Sequence, residues 1–261
     1  MTTASRADEV KVARDGAITV VTLARTAKAN ALDLPLLAAL DAALDAIDRD
    51  PGCKAMILAS ASAKAFCAGG DIAAWGALSP REMATRWIRD GHRVLDRLAT
   101  LRQPTIAAIE GIAYGGGLEL AACCDLRVAG EAARFALPEA TVATAPGWAG
   151  TLRLPRLIGP ARTKRLAFTG DPVDAATALA WGLVDEVALA GTALAAAHAL
   201  AGRIVRASAL SVQVAKQMID ACVTGAPVVA LDSLAAQVTL AGPDAAEAQA
   251  AFRDKRKPRF D

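Results

Sequence analysis

Glycines and carboxylates recur together at three points in this sequence: Gly69-Gly70-Asp71, then Gly115-Gly116-Gly117 with Glu119, then Pro138-Glu139 with Pro146-Gly147. A glycine has no Cβ, so its backbone N–H can come very close to a bound group. Where glycines open a helix, the first N–H groups lack intrahelical partners and the helix dipole favours negative charge. Such a turn can hold an anion or a developing oxyanion. Glu119 falls within the first turn of the helix after the second cluster. A carboxylate there, in apolar surroundings, is a group whose pKa can be tuned for proton transfer. The dipole alone also favours glutamate at this position, so the motif by itself leaves both readings open.

Together the three turns supply two separated N–H donors for one carbonyl oxygen and two carboxylates for one water or proton. That combination serves chemistry through a thioester enolate, where negative charge builds on a single oxygen. Several other chemistries lack their residues. There is no G-x-x-x-x-G-K-[ST], no G-x-G-x-x-G opening a first βαβ unit, and no serine in G-x-S-x-G. The two histidines, His92 and His198, fall in expected helices without nearby ligand partners, which supports neither a histidine triad nor a zinc site.

The 261 residues suit one large domain or slightly more, and a composition 54% hydrophobic and 21% charged suits a soluble protein with a large core. A net charge of +2 creates no general attraction for nucleic acid or membranes, and 4% aromatics offers little for base stacking. Five cysteines without a C-x-x-C pair read as free thiols in a reducing compartment, the cytoplasm. Residues 1–10 are polar and carry Asp8 and Glu9, unlike a signal peptide. No apolar window is long enough to span a bilayer.

The elements that must position the three turns can be placed from patterning. A hairpin is expected over 10–23 with Asp15-Gly16 as its turn. Asp33 is placed to cap a helix whose apolar stripe is Leu36, Leu37, Leu40, Leu44 and Ile47. Short buried strands are expected over 54–59, 105–109, 125–129 and 183–187. Helices are expected over 83–101, with Trp87, Val94, Leu95 and Leu98 inward, and over 118–124. The glycines of 115–117 then lie where the strand 105–109 hands over to a helix. From residue 151 the pattern is helical, with segments over 152–158, 161–168, 174–181, 192–205, 212–222, 228–240 and 244–255. The result is an α/β core followed by a helical lobe.

At this level of detail the chain resembles the crotonase (enoyl-CoA hydratase/isomerase) superfamily along nearly its whole length. The resemblance is carried by residues 24–32 (A-R-T-A-K-A-N-A-L), 65–72 (A-F-C-A-G-G-D-I), 111–120 (G-I-A-Y-G-G-G-L-E-L), 135–139 (F-A-L-P-E), 146–154 (P-G-W-A-G-T-L-R-L), 181–185 (W-G-L-V-D) and 252–257 (F-R-D-K-R-K). It implies a crotonase-like α/β fold, a ββα superhelix core over 1–190 with a C-terminal helical trimerisation lobe over 191–261. It implies that the N–H groups of Gly70 and Gly116 form the oxyanion hole and that Glu119 and Glu139 are the catalytic pair. Gly147 matches the glycine that helps hold the reacting water. Lys28, Ala29, Ala68 and Ile72 fall where the family binds CoA, and Trp75, Trp87 and Trp148 fall in the acyl pocket.

The implied function is an enoyl-CoA hydratase-type lyase acting on an acyl-CoA thioester, with no metal and no cofactor beyond the CoA of the substrate. The implied assembly is a homotrimer or a dimer of trimers, without nucleic acid or membrane partners. Alternatives within the family are an enoyl-CoA isomerase, a hydroxyacyl- or carnitinyl-CoA dehydratase, and an aryl-propenoyl-CoA hydratase-lyase. A non-catalytic member that binds RNA or a partner is a further alternative. Thr26 and Ala24 depart from the family's usual proline and asparagine. Trp148 stands where a small residue is usual, either as core packing or as a reshaped acyl pocket.

Overall fold

The computed structural model describes residues 9–260. The reading of the polar opening falls almost entirely outside the described residues. Strands β1 (Val10–Asp15) and β2 (Ile18–Leu23) form the expected hairpin. Asp15 pairs with Ile18, so the two-residue turn is Gly16-Ala17, one position later than the Asp-Gly dipeptide suggests. Gly16 takes φ 58, a value that costs glycine nothing. Helix α1 (Leu34–Arg49) starts where Asp33 caps it, its side chain accepting the Leu36 N–H at 2.9 Å. The expected apolar stripe is buried throughout.

The chain then repeats one theme three times: a strand in a large sheet, a short strand in a small sheet, and one or more helices. The first turn is β3 (Ala55–Ser60), β4 (Ala65–Cys67), the short helices α2 (Ile72–Trp75) and α3 (Pro80–Glu82), a π-helical turn (Met83–Trp87) and α4 (Ile88–Ala99). The second is β5 (Thr105–Ile109), β6 (Ile112–Tyr114) and α5 (Gly116–Ala121). The third is β7 (Leu126–Gly130), β8 (Arg134–Ala136), a 3-10 turn (Pro138–Val142) and α6 (Gly150–Thr169). After β9 (Val173–Asp174), α7 (Ala175–Trp181) and β10 (Glu186–Ala188) come α8 (Ala193–Ile204), α9 (Ala209–Val223), α10 (Val228–Ala241) and α11 (Asp244–Arg253). The large sheet runs β1-β2-β3-β5-β7-β10, parallel except for the hairpin, and the small sheet runs β4-β6-β8-β9. This is the ββα superhelix that the sequence resemblance implies.

Alternation along the large sheet shows why both of its faces are covered. Met56, Leu58, Ala107, Ile109 and Ala129 point into the main core. Their neighbours Ile57, Ile106, Ala108 and Val128 point the other way, onto Ala197 and Ala201 of α8. Successive strand side chains face opposite sides, and a parallel sheet buried on both faces reads as a continuous apolar run. The alanines of α8 let it lie close on the sheet.

Three expectations are corrected here. The strand that hands over to the glycine helix is Ile112–Tyr114, not Thr105–Ile109: at Gly111, with φ 65, the chain leaves the large sheet for the small one. The helix that follows begins at Gly116 and ends at Ala121, so Cys123 and Cys124 lie beyond it, buried. The helical segments expected over 152–158 and 161–168 are one element, kinked at Gly159 (φ 79, ψ 159) ahead of Pro160. Residues 9–260 contain no helix long and apolar enough to cross a membrane. Helices α9–α11 leave Val223, Val229, Leu234, Leu240 and Phe252 exposed.

Candidate active site

The two donor glycines come from different turns of the superhelix and meet. Leu32 forms a parallel bridge with Gly70, using the Gly69 carbonyl (2.7 Å) and the Asp71 N–H (2.7 Å). A parallel bridge of this kind is made by the flanking residues, which leaves the N–H of Gly70 itself turned away. Gly116 is the first residue of α5, whose N–H has no intrahelical acceptor. Among the described residues neither N–H has a protein acceptor. A Cβ built on Gly116 would lie 3.5 Å from the Gly70 nitrogen, and one on Gly69 would lie 3.4 Å from the Gly116 nitrogen. Gly115 makes the corner with φ 50 and ψ −124, a conformation that excludes other residues.

The Gly70 turn is locked from behind by a buried arginine. Arg25 is 8% exposed and places its guanidinium 3.1 Å from Asp33 and 2.9 Å from Asp71. Asp71 in turn caps α2 by accepting the N–H groups of Ala73 (3.1 Å) and Ala74 (3.3 Å). Burial pushes the Asp71 carboxyl up, but Arg25 and the cap N–H groups outweigh it and hold it below the usual carboxylate range. Arg25→Ala removes the cation these two carboxylates share, and breaking a buried pair costs about 3–5 kcal/mol. Urea unfolding of the variant should show a loss of that size in free energy.

The two glutamates line the same cavity. Glu119 is 2% exposed, and its Oε1 accepts the N–H groups of Trp148 (2.9 Å) and Gly150 (2.8 Å), at the N-terminus of α6. A Cβ at Gly150 would come within 2.6 Å of Glu119 Cγ, so only glycine allows this approach. Burial raises the Glu119 pKa, while the N–H groups of Gly150, Trp148 and Gly147 lower it, leaving a net upward shift. Glu139 sits in the 3-10 turn with its Oε1 against Gly115, and its buried Oε2 has no hydrogen-bond partner among the described residues. Burial, with a contribution from the Glu119 charge, pushes Glu139 up to about 7. So one carboxylate is held by two N–H groups, and the other keeps a buried oxygen without a partner among the described residues and is half-protonated near neutrality.

One cavity is lined by Gly70, Gly116, Glu119, Glu139 and Gly147 together with Trp75, Trp87 and Trp148. The structure therefore brings together eight of the twelve residues singled out in the sequence. The other four, Lys28, Ala29, Ala68 and Ile72, lie outside the lining. Ala68 donates its N–H to the Ala29 carbonyl at 2.9 Å, which joins the Thr26–Lys28 turn to the strand end leading into Gly70, and Ile72 is exposed on α2. Sequence reasoning missed Ile88, Thr144 and Ala145 in the lining, and it missed Trp148 and Gly150 as the donors that hold Glu119. The glycine two residues after Trp148 was a visible signal for such a close approach. Gly147, read as a holder of water, lines the cavity, and its N–H helps to lower the Glu119 pKa.

Comparison with known proteins agrees over nearly the whole chain. A family model described as enoyl-CoA hydratase/isomerase matches residues 13–261. The chain is 33% identical to a crotonyl-CoA hydratase from Syntrophomonas wolfei, covering 97% of this chain and 98% of that one. It is 35% identical to a short-chain-enoyl-CoA hydratase from Clostridium acetobutylicum, covering 96% of each. The crystal structure of an enoyl-CoA hydratase from Bacillus anthracis superposes with a TM-score of 0.92 at 33% identity, over 97% of this chain and 98% of that one.

Proposed function

The chain belongs to the enoyl-CoA hydratase/isomerase family, and from that membership we infer that it adds water across the α,β double bond of an enoyl-CoA thioester. The observation that carries this reading is the convergence of two free N–H donors and two carboxylates on one cavity. The thioester carbonyl accepts from Gly70 and Gly116. Glu119 takes a proton from water as the water oxygen bonds to the β-carbon. The electron pair of the double bond moves toward the carbonyl oxygen, where the two N–H groups stabilise the enolate. Glu139 then gives its proton to the α-carbon. The carboxylate gripped by N–H groups is suited to act as base, and the one with pKa about 7 is suited to act as acid.

The reading asks for no separate cofactor, because the two N–H groups already carry the developing charge. Lys28, Ala29, Ala68 and Ile72 are proposed to contact CoA: Ala68 and Ile72 flank Gly70, and Ala29 is joined to Ala68 by a backbone hydrogen bond. The exposed apolar side chains of α9–α11 support assembly of copies through these helices, as a trimer or a pair of trimers. The free cysteines suit a cytoplasmic protein. Mass analysis of the product from crotonyl-CoA tests the reaction. A gain of one water supports hydration. An unchanged mass with a moved double bond, or a cleaved chain, contradicts it.

A further inference from the structure

The indoles of Trp87 and Trp148 stand directly behind the two donor glycines. A Cβ on Gly70 would lie 2.9 Å from Trp87 Cζ2, and one on Gly116 would lie 2.7 Å from Trp148 Cζ3. The rings pack on each other with centroids 5.2 Å apart and planes tilted by 33°. Both indoles line the cavity that Gly70 and Gly116 line, so an acyl chain whose carbonyl oxygen is held by the two glycines shares that cavity with this pair. The cavity volume is about 80 Å³. An apolar cavity of about 150 Å³ takes one benzene ring, and this smaller space is shared with Glu119 and Glu139.

The wall is also fixed in place. Trp148 is 2% and Trp87 6% exposed. Trp148 Nε1 donates to the Trp87 carbonyl at 3.2 Å, at the end of the π-helical turn Met83–Trp87. The same indole lies in a slot on α4 that exists because residue 91 is glycine: a Cβ there would overlap the ring. The backbone N–H of Trp148 meanwhile holds Glu119. A ring anchored at both ends cannot swing aside for a longer chain without disturbing the base. Trp148 is thus packed in the core against Gly91 and also lines the cavity.

We propose that the packed Trp87–Trp148 pair is the specificity determinant of this enzyme and restricts it to short, unbranched acyl thioesters, excluding long-chain and aryl-propenoyl ones. The proposal rests on the hydratase reading for its substrate but not for its geometry, so binding and turnover are measured separately. Affinities for butyryl-CoA and decanoyl-CoA are compared by calorimetry, and kcat/KM for crotonyl-CoA, decenoyl-CoA and cinnamoyl-CoA by absorbance. A pocket that rejects several methylenes is expected to give the short chain an advantage of at least about 10²-fold in wild-type enzyme. Trp148→Ala and, from the other side of the wall, Trp87→Leu should each shrink that advantage at least about 10-fold. Equal wild-type handling of short and long chains overturns the proposal whether or not either variant folds, as does a preference that both folded variants keep. Selective butyryl-CoA binding without any hydration leaves the proposal standing and removes the hydratase reading. Hydration without chain-length preference does the reverse.

Discussion

Glu139→Gln is expected to lower kcat for crotonyl-CoA hydration by about 10²–10⁴-fold, the contribution typical of a positioned general acid. The amide keeps the shape of the side chain but has no transferable proton for the α-carbon. In the wild type, the acid must be protonated to act, so kcat/KM should fall as pH rises through about 7. The same substitution should stabilise the fold. A glutamate raised to about 7 holds its proton in the folded chain where the unfolded chain has released it. Stability therefore drops as pH rises from the ordinary carboxylate range through about 7 and stays low above it. Glutamine does not titrate and escapes that loss. Thermal unfolding near pH 8 should show a Tm at least about 2 °C above wild type, and near pH 4 no difference, with the gain trimmed by the partial exposure of the group. A structural residue would lose stability on substitution; an inactive variant that is more stable marks a group kept for chemistry.

Glu119→Gln is expected to cost a similar factor, about 10²–10⁴ in kcat, by a different route. The Gln carbonyl oxygen can still accept the N–H groups of Trp148 and Gly150, so the site keeps its shape. What disappears is the base that takes the water proton. Affinity for a non-reactive CoA ester should stay within a few-fold of wild type, because thioester contacts come from Gly70 and Gly116 rather than from this side chain. Isothermal titration with butyryl-CoA, set beside stopped-flow turnover, separates the two effects. Loss of binding together with turnover would make Glu119 a structural prop for the N-terminus of α6 and not the base.

Much of this molecule is legible along the chain where periodicity runs long enough. The stripe of α1 and its Asp33 cap are fixed by side chains within a few residues of each other. The small sheet is not legible in the same way. Its strands are two or three residues long, as in Ile112–Tyr114 and Val173–Asp174, too short for alternation to register. That is why patterning points to a strand one element too early before the glycine helix. The site divides along the same line. Gly70, Gly116, Glu119 and Glu139 stand out as residue types in glycine-rich turns, and family motifs order them. Their convergence depends on the pitch of the superhelix, a long-range property. The grip of Trp148 and Gly150 on Glu119 spans about thirty residues of chain and follows from where α6 begins, which local pattern does not reveal.

Two carboxylates sharing one water beside two N–H donors form the centre of the proposed mechanism. The most direct measurement is the hydration rate of crotonyl-CoA by wild-type enzyme and by the Glu119→Gln/Glu139→Gln double variant, side by side. Groups that act as a unit are far from additive, so the double variant should fall little below either single one and retain only what the oxyanion donors provide. Rapid water addition by the wild type with near-background turnover by a folded double variant is the predicted result. Hydration by the double variant at the wild-type rate would contradict it.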